Sequence, residues 1–236
     1  MKALVIGAGG GIGGAMLEAL LERNSIEQVH ASYFRTEPGF DHPRVCWHRV
    51  DMTDDASVEQ LVARIEGPLD YLINTVGILH EGTKQPERTV KRFDPEFYLR
   101  NIQTNALPTL LLAKHAEPLL KHSPKAVFAA VSARVGSIEE NRLGGWVSYR
   151  SSKAALNMAL KTLSIEWRRT LPQTVVAALH PGTTATRLSA PFQNNVATHK
   201  LFSPRQSADY MLAVIDKLEP GDSGRFWSWD GSELPW

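Results

Sequence analysis

The feature that most constrains the fold is a glycine-rich run between an apolar segment and a helix-forming one at the start of the chain. Residues 1–6 read Met-Lys-Ala-Leu-Val-Ile, which is typical of a short buried parallel strand. Residues 15–23 are rich in good helix formers. Between them, residues 7–14 read Gly-Ala-Gly-Gly-Gly-Ile-Gly-Gly. A strand, a glycine turn and a helix in this order predict a site where backbone N–H groups approach a pyrophosphate.

The glycine run is compatible with two spacings. Gly-x-Gly-x-x-Gly fails when it is counted from Gly7, because Ile12 takes its last position, and it is met from Gly9 only at a late start. Gly-x-x-x-Gly-x-Gly is met by Gly7, Gly11 and Gly13. We therefore expect these three glycines and Ile12 to border the pyrophosphate; the alternative is a plain glycine turn.

A second informative feature is the pair formed by Tyr149 and Lys153. The two residues lie four positions apart in a helix-forming segment, so their side chains leave the same helix face. A cation beside a phenol lowers the pKa of the phenol, which would make Tyr149 a proton donor and acceptor near neutral pH. The alternative is a surface tyrosine beside a solvated lysine.

Together, the two motifs resemble those of the short-chain dehydrogenase/reductase family in its compact single-domain form. That family pairs Gly-x-x-x-Gly-x-Gly near the N-terminus with Tyr-x-x-x-Lys about two thirds along the chain, and nearly the whole chain matches in order. The segment between Gly136 and Tyr149 resembles the corresponding segment of a subgroup of this family, which includes sniffer-type carbonyl reductases and bacterial C-factor-like proteins. The other matching positions are Asp51, Met52, Asn74, Gly77, Asn105, Pro181, Gly182, Thr184, Thr186 and residues 226–231.

The resemblance implies a role in cofactor binding for most of these positions. Asp51, with Met52 beside it, would contact the adenine, while Asn74 and Gly77 would border the adenine ribose. Lys153 would bind the nicotinamide ribose. The carboxamide side of the nicotinamide would be held by the segment that contains Pro181, Gly182, Thr184 and Thr186.

The resemblance also implies a set of catalytic side chains. Tyr149 would donate a proton to a carbonyl oxygen, and Lys153 would lower its pKa. Asn105 would position water that links Lys153 to solvent. A serine hydroxyl would steady the substrate oxygen.

The position of that serine departs from the family pattern. The family carries it in Ser-x-x-Gly, but three residues before Gly136 stands Ala133. Ser132 and Ser137 flank the motif, and on a strand a shift of one residue turns a side chain to the opposite face. We favour Ser132, because it lies nearer the expected strand end, and Ser137 stays open.

The end of the second predicted strand indicates which cofactor is preferred. An NAD site usually has an acidic residue there, but residues 30–36 contain none and the first carboxylate is that of Glu37. Arg35 offers a forked cation suited to a 2′-phosphate. We therefore expect NADP(H) to be preferred over NAD(H); the alternative is that Arg35 is an ordinary surface residue.

Strand-like and helix-like segments alternate along the chain, which predicts an α/β fold with a doubly wound parallel sheet. A length of 236 residues suits a single Rossmann-like domain, residues 1–236, with residues 187–206 as a substrate loop. The cations of residues 84–92 predict a solvated loop rather than an anion site. Strands are predicted at 2–7, 28–34, 45–49, 69–75, 125–131, 174–180 and 225–229, and helices at 12–22, 55–66, 95 to about 115, 149–169 and 207–217.

Composition limits the kinds of binding partner and compartment that we expect for this chain. A net charge of +1 gives no reason to expect nucleic acid or an anionic membrane surface. Cys46 is the only cysteine, which excludes an internal disulfide and suits a reducing compartment, and no leader or long apolar run is apparent. The histidines show no metal-site spacing. We expect a cytoplasmic protein without a metal, and the resemblance together with small residues in the segment of Tyr149 suggests a homodimer or homotetramer.

The function predicted from the sequence is hydride transfer between NADP(H) and a small carbonyl or alcohol substrate. The alternative is a catalytically weak nucleotide-binding signalling or regulatory protein on the same fold, which Ala133 at the expected serine position keeps open. A sugar-nucleotide epimerase is less favoured, since little chain follows Thr186 to form a second substrate lobe.

Overall fold

The computed structural model describes residues 1–195 and 197–236. Val196, in the predicted substrate loop, lies outside the described residues. The strands are β1 (Lys2–Ile6), β2 (Gln28–Tyr33), β3 (Val45–Arg49), β4 (Tyr71–Asn74), β5 (Ala126–Val131), β6 (Thr174–His180), β7 (Thr183–Thr184), β8 (Leu201–Phe202), β9 (Arg225–Ser228) and β10 (Glu233–Leu234). The α-helices are α1 (Gly11–Leu21), α2 (Asp55–Ala63), α3 (Pro95–Asn105), α4 (Leu107–Leu120), α5 (Val147–Thr170) and α6 (Pro204–Lys217).

An eight-stranded sheet forms the centre of the molecule, in the order β10-β9-β6-β5-β4-β1-β2-β3. Every neighbouring pair is parallel except β9 and β10, which are antiparallel. Core residues on one face pack against α1 and α6, and those on the other against α2, α4 and α5. The predicted doubly wound parallel sheet of a single Rossmann-like fold is therefore confirmed.

The central strands explain why the sequence reads as continuous apolar runs. All residues of β5 are buried, as are all but the first of β1 and all but the last of β6. A strand covered by helices on both faces has no polar side to alternate with the apolar one. The antiparallel β10 was not predicted, since two residues carry no period; a turn with a positive φ at Gly231 folds it back onto β9.

The helix predicted from residue 95 towards His115 is two helices. Asp94 caps α3 by accepting the N–H groups of Glu96 and Phe97. The chain breaks at Ala106 and restarts with Pro108 in the first turn of α4, where proline lacks an N–H that has no intrahelical partner anyway. The prediction of a single bent helix was therefore wrong.

The last helix begins earlier than predicted, at Pro204 rather than at Ser207, because Ser203 and Gln206 form a reciprocal capping box. The end of the predicted substrate loop therefore belongs to α6. Strands β7 and β8 pair with each other, so the two ends of the segment that connects them lie close together. No helix within the described ranges combines the length and apolar character that a bilayer crossing requires.

Candidate active site

The site lies at the point of the parallel sheet where the order of successive strands reverses. β1 pairs with β2 on one side and with β4 on the other. In α/β sheets, ligands bind in the crevice outside the carboxyl ends of such neighbouring strands. Gly7 follows β1 and Thr75 follows β4, and the Thr75 hydroxyl donates to the carbonyl of Ile6 at 2.7 Å. The glycine run is therefore placed at this crevice.

Each glycine of the Gly-x-x-x-Gly-x-Gly pattern is required by its surroundings. Gly7 has a φ of +81°, which L side chains rarely adopt. A Cβ on Gly13 would lie 2.3 Å from the carbonyl oxygen of Gly7 and 2.6 Å from the Thr75 hydroxyl. A Cβ on Gly11 would lie 2.8 Å from the Thr186 methyl. The close packing brings Thr186 to the glycine loop, and its role at the carboxamide stays a prediction.

The start of α1 has the donors that a phosphate needs. Gly10 is the N-cap, no side chain caps the helix, and its first turn has no acidic residue. The N–H groups of Gly11, Ile12 and Gly13 occupy the positions where an α-helix provides no intrahelical acceptor. The positive end of the helix dipole lies at the same place. These residues fit the pyrophosphate of a dinucleotide.

The segment after β2 borders the glycine loop. A Cβ on Gly9 would lie 3.5 Å from Cβ of Tyr33 and 3.8 Å from Pro38. Arg35 lies between these two residues, is exposed, and has its guanidinium carbon 5.8 Å from the centroid of the Phe34 ring. It forms no ion pair within the described part of the chain.

Two of the predicted cofactor contacts also have structural partners. The Asn74 amide donates to the Thr109 hydroxyl at 2.9 Å, and its oxygen accepts the N–H of Val76 at 3.0 Å. Met52 is buried in the core on the α2 side of the sheet. The carboxylate of Asp51, which is partly exposed, accepts the N–H and hydroxyl of Thr53. Of these predicted contacts, the Asp51 carboxylate alone remains partly open to solvent.

Gly77, a predicted cofactor contact, lies against two of the predicted catalytic side chains. A Cβ there would lie 3.1 Å from the Asn105 side-chain oxygen and 3.3 Å from the Lys153 ammonium. Asn105 is fixed by the Ile78 N–H at 2.7 Å and by its own donation to the Ser152 hydroxyl at 2.8 Å. The structure therefore brings Gly77, Asn105 and Lys153 together.

Tyr149 and Lys153 lie on one face of α5, as their spacing predicts. The Lys153 ammonium donates to the carbonyl of Val131 at 2.9 Å and lies 6.0 Å from the Tyr149 ring centroid. Both side chains are buried, at 8 % exposed for Tyr149 and 3 % for Lys153. The alternative of a solvated surface pair is therefore wrong.

The electrostatics of this pair differ from the prediction. Burial raises the pKa of Tyr149 above its ordinary value, and burial lowers the pKa of Lys153 to about 8. The expected lowering of the Tyr149 pKa by Lys153 was wrong for this structure. Because the ammonium is directed at the Val131 carbonyl, it does not offset the desolvation of the phenol.

Both candidate serines have their hydroxyls engaged. Ser132 is buried and donates to the side-chain oxygen of Asn157 at 2.6 Å. Asn157 lies eight residues beyond Tyr149 on α5. Ser137 donates to the carbonyl of Trp236 at 3.2 Å. The structure gives neither serine a hydrogen bond to Tyr149, so the assignment of Ser132 stays a prediction.

The segment predicted to hold the carboxamide has a tight backbone. Gly182 has a φ of +74°, and a Cβ there would lie 2.5 Å from the Phe202 ring, so β7 can approach β8 only with glycine at this position. Pro181 directly precedes this glycine. The Thr184 hydroxyl is 2.7 Å from that of Ser207 on α6. This segment is therefore held in place from both β8 and α6.

Sequence reasoning missed a buried carboxylate at the start of α5. The N-cap residue, Trp146, gives no side-chain cap, and its φ of +52° is unusual for a residue other than glycine. The carbonyl of Glu87 accepts the Trp146 N–H, and the Glu87 carboxylate accepts the N–H of Ser148 at 3.2 Å and its hydroxyl. A distant residue thus caps the helix that carries Tyr149. The available signal was that Glu87 is the only acid among residues 84–92.

Replacing Glu87 by Gln should lower the free energy of unfolding by about 1–3 kcal/mol, because the helix end loses a charge-assisted acceptor. Chemical denaturation of the whole chain measures this change. Glu139→Gln is the matched control, since Glu139 is exposed and lies in the connection between β5 and α5. Equal stabilities for the Glu87 and Glu139 variants would contradict the capping role.

Comparison with known proteins agrees with this geometry. The family model for short chain dehydrogenases matches residues 1–197. The chain belongs to this family. Its members are oxidoreductases, and the resemblance noted from the sequence is confirmed.

Two curated relatives cover most of the chain. The chain is 32% identical over 247 residues to a 1-hydroxy-2-glutathionyl-2-methyl-3-butene dehydrogenase of Rhodococcus sp. (strain AD45), over 99% of this chain and 98% of the relative. It is 36% identical over 171 residues to C-signal of Myxococcus xanthus, over 72% of this chain and 94% of the relative.

Solved structures show the same similarity. The carbonyl reductase Sniffer of D. melanogaster matches with a TM-score of 0.87 and 25% identity, over 100% of this chain and 99% of the other. An NADPH-bound carbonyl reductase from chicken fatty liver matches with a TM-score of 0.86 and 28% identity, over 100% and 98%. The chain is thus similar to carbonyl reductases along its whole length.

Proposed function

We propose that this protein transfers a hydride between NADP(H) and a small carbonyl or alcohol substrate, with Tyr149 as the proton donor and acceptor. The observation that carries the proposal is that residues 75–77 approach both motifs. A Cβ on Gly7 would lie 2.8 Å from the Thr75 hydroxyl, and a Cβ on Gly77 would lie 3.3 Å from the Lys153 ammonium. The segment after β4 therefore links the glycine run before α1 to the face of α5 that bears Lys153. A cofactor that stretches between a pyrophosphate site and a reacting ring suits this layout.

Each residue would have a separate task in binding. The N–H groups of Gly11, Ile12 and Gly13 would hold the pyrophosphate, and the carboxylate of Asp51 the adenine. The turn at Gly182 and the neighbouring Thr186 would border the carboxamide. A bound nicotinamide would supply or accept the hydride.

Tyr149 would then complete the reaction at the substrate oxygen. Because burial raises its pKa, Tyr149 is protonated at neutral pH and can donate to an oxygen that gains negative charge. Lys153 would turn from the Val131 carbonyl towards the nicotinamide ribose, and Asn105 would hold the water that links it to solvent. A serine hydroxyl, Ser132 being the favoured candidate, would steady the substrate oxygen.

A cofactor-oxidation screen with small ketones, aldehydes and quinones tests this function. NADPH oxidation should be found with at least one carbonyl class and should be lost in the Tyr149→Phe variant. The second candidate is a catalytically weak signalling or regulatory protein, favoured by Ala133 at the serine position and by the engagement of Ser132 with Asn157. Tight NADPH binding with no oxidation by any carbonyl would favour this second candidate.

The preference for NADP(H) rests on Arg35 and on the NADPH of the carbonyl reductase from chicken fatty liver. Arg35→Gln should weaken NADPH binding about tenfold and leave NADH binding unchanged, since one charge-assisted contact to a 2′-phosphate is lost. Competition titration measures both affinities. Arg168→Gln, an exposed arginine in the last turn of α5, is the control. Equal affinities of the unaltered protein for NADH and NADPH would contradict the preference.

Exposed apolar side chains on α5 and α4 suit contact with a second copy of the chain. Met158 and Ile165 lie seven residues apart on α5 and are 64% and 56% exposed, and Leu110 on α4 is 47% exposed. Residues seven apart share a helix face, so α5 presents an apolar stripe that a second copy could cover. We propose a homodimer or homotetramer that acts in the cytoplasm.

A further inference from the structure

A cavity lined by aromatic and charged side chains lies at the start of α5, the helix that bears Tyr149. Its volume is about 860 Å³, within the ~300–1,000 Å³ typical of small-molecule sites. Phe97 of α3, Trp146 and Phe192 line it, and the segment before α3 contributes Arg88 and Arg92. The cavity is therefore formed mainly by the segment before α3, together with α3, the start of α5 and the predicted substrate loop.

The cavity adjoins the catalytic side through Trp146. The Trp146 ring centroid lies 5.0 Å from that of Phe192 and 6.4 Å from that of Tyr149, which it meets edge-on. Glu87, another lining residue, binds Ser148, the neighbour of Tyr149. A molecule that packs against the Trp146 indole in the cavity would thus lie next to the ring that contacts Tyr149.

Some of the charged side chains that line the cavity have a hydrogen-bonded partner and others have none within the described residues. Lys84 pairs with Asp94, and the Glu87 carboxylate is held by Ser148. In the described part of the chain, no acidic side chain pairs with Arg88 or Arg92. The sequence predicted a solvated loop here, and Arg88 and Arg92 are indeed exposed, but both also line this cavity.

We propose that the substrate carries a carboxylate that Arg88 and Arg92 recognise while its apolar body packs against Trp146 and Phe192. A guanidinium binds a carboxylate through two parallel N–H donors and keeps its charge at any physiological pH, so two of them give a strong preference for an anion. The proposal deepens the carbonyl-reductase function and rests on it for the identity of the bound molecule as a substrate.

Two probe aldehydes of the same shape test the proposal, namely 4-carboxybenzaldehyde and methyl 4-formylbenzoate. The unaltered protein should reduce the carboxylate with a KM at least about tenfold lower than that of the ester, as the loss of one charged contact predicts. Arg88→Gln and Arg92→Gln should each raise the KM for the carboxylate at least about fivefold, with kcat and the KM for the ester nearly unchanged.

Lys91→Gln is the matched control, because Lys91 lies between the two arginines in sequence but does not line the cavity. Equal KM values for the two aldehydes, or an equal effect of Lys91→Gln, would overturn the proposal and leave the reductase function intact. Calorimetric binding of the alcohol 4-(hydroxymethyl)benzoate to the same variants, with NADP⁺ present, gives a readout without turnover. If neither aldehyde is reduced, arginine-dependent binding still supports the anion site and its absence overturns it.

Discussion

Tyr149→Phe should reduce turnover at least about a hundredfold while the protein still folds and binds NADPH. A general acid in position typically contributes ~10²–10⁴-fold, and phenylalanine removes the hydroxyl while it keeps the ring. The edge-on contact with Trp146 needs only the ring, so the surrounding packing should persist. Steady-state kinetics measure the loss, and quenching of tryptophan fluorescence measures the cofactor affinity.

Tyr98→Phe is the control for this experiment. Tyr98 lies on α3, is partly exposed, packs against Phe93 and is not among the predicted site residues. It should change turnover less than about twofold, as surface substitutions usually do. Near-normal turnover in Tyr149→Phe would defeat the proposed proton transfer, and loss of NADPH binding would indicate a structural role instead.

Lys153→Met should abolish turnover and at the same time stabilise the fold. Burial lowers the Lys153 pKa from 10.5 to about 8, and such a shift corresponds to about 3 kcal/mol of cost for the charged form at neutral pH. Loss of the hydrogen bond to Val131 offsets about 1 kcal/mol of this gain. Chemical denaturation at pH 7 should therefore show a net gain of about 2 kcal/mol.

The gain should depend on pH in a defined way. Between pH 8 and 10.5 the folded protein has released the Lys153 proton while the unfolded chain still binds it, so the stability of the unaltered protein rises through this window. The advantage of Lys153→Met is full below pH 8 and disappears by about pH 10.5. Lys161 lies two turns further along α5 and is partly exposed, so Lys161→Met should give no such gain. A destabilised Lys153→Met variant would contradict the burial argument.

Local constraints explain how much of the fold could be predicted. The glycine pattern is set by contacts between Gly7 and Gly13 within one turn, and the apolar runs follow directly from strands covered on both faces. The parallel sheet and the crevice followed from these patterns. The break at Ala106 was missed because Pro108 suits both a bend and a helix start.

The chemistry of the site was less predictable because it depends on distant partners. The contact between Glu87 and Ser148 joins residues 61 apart, and no local pattern signals it. The spacing of Tyr149 and Lys153 predicted that the two side chains share a helix face but not how deeply they are buried. Burial decides the direction of both pKa shifts. The engagement of Ser132 by Asn157 is likewise a tertiary contact.

Transfer of a labelled hydride tests the central claim most directly. NADPH with deuterium at both C4 positions of the nicotinamide is incubated with the protein and the neutral aldehyde methyl 4-formylbenzoate, and the alcohol is analysed by mass spectrometry. One deuterium on the carbinol carbon, formed at least about a hundredfold more slowly by Tyr149→Phe, is the expected result. An alcohol without deuterium, or equal label from both proteins, would contradict hydride transfer assisted by Tyr149.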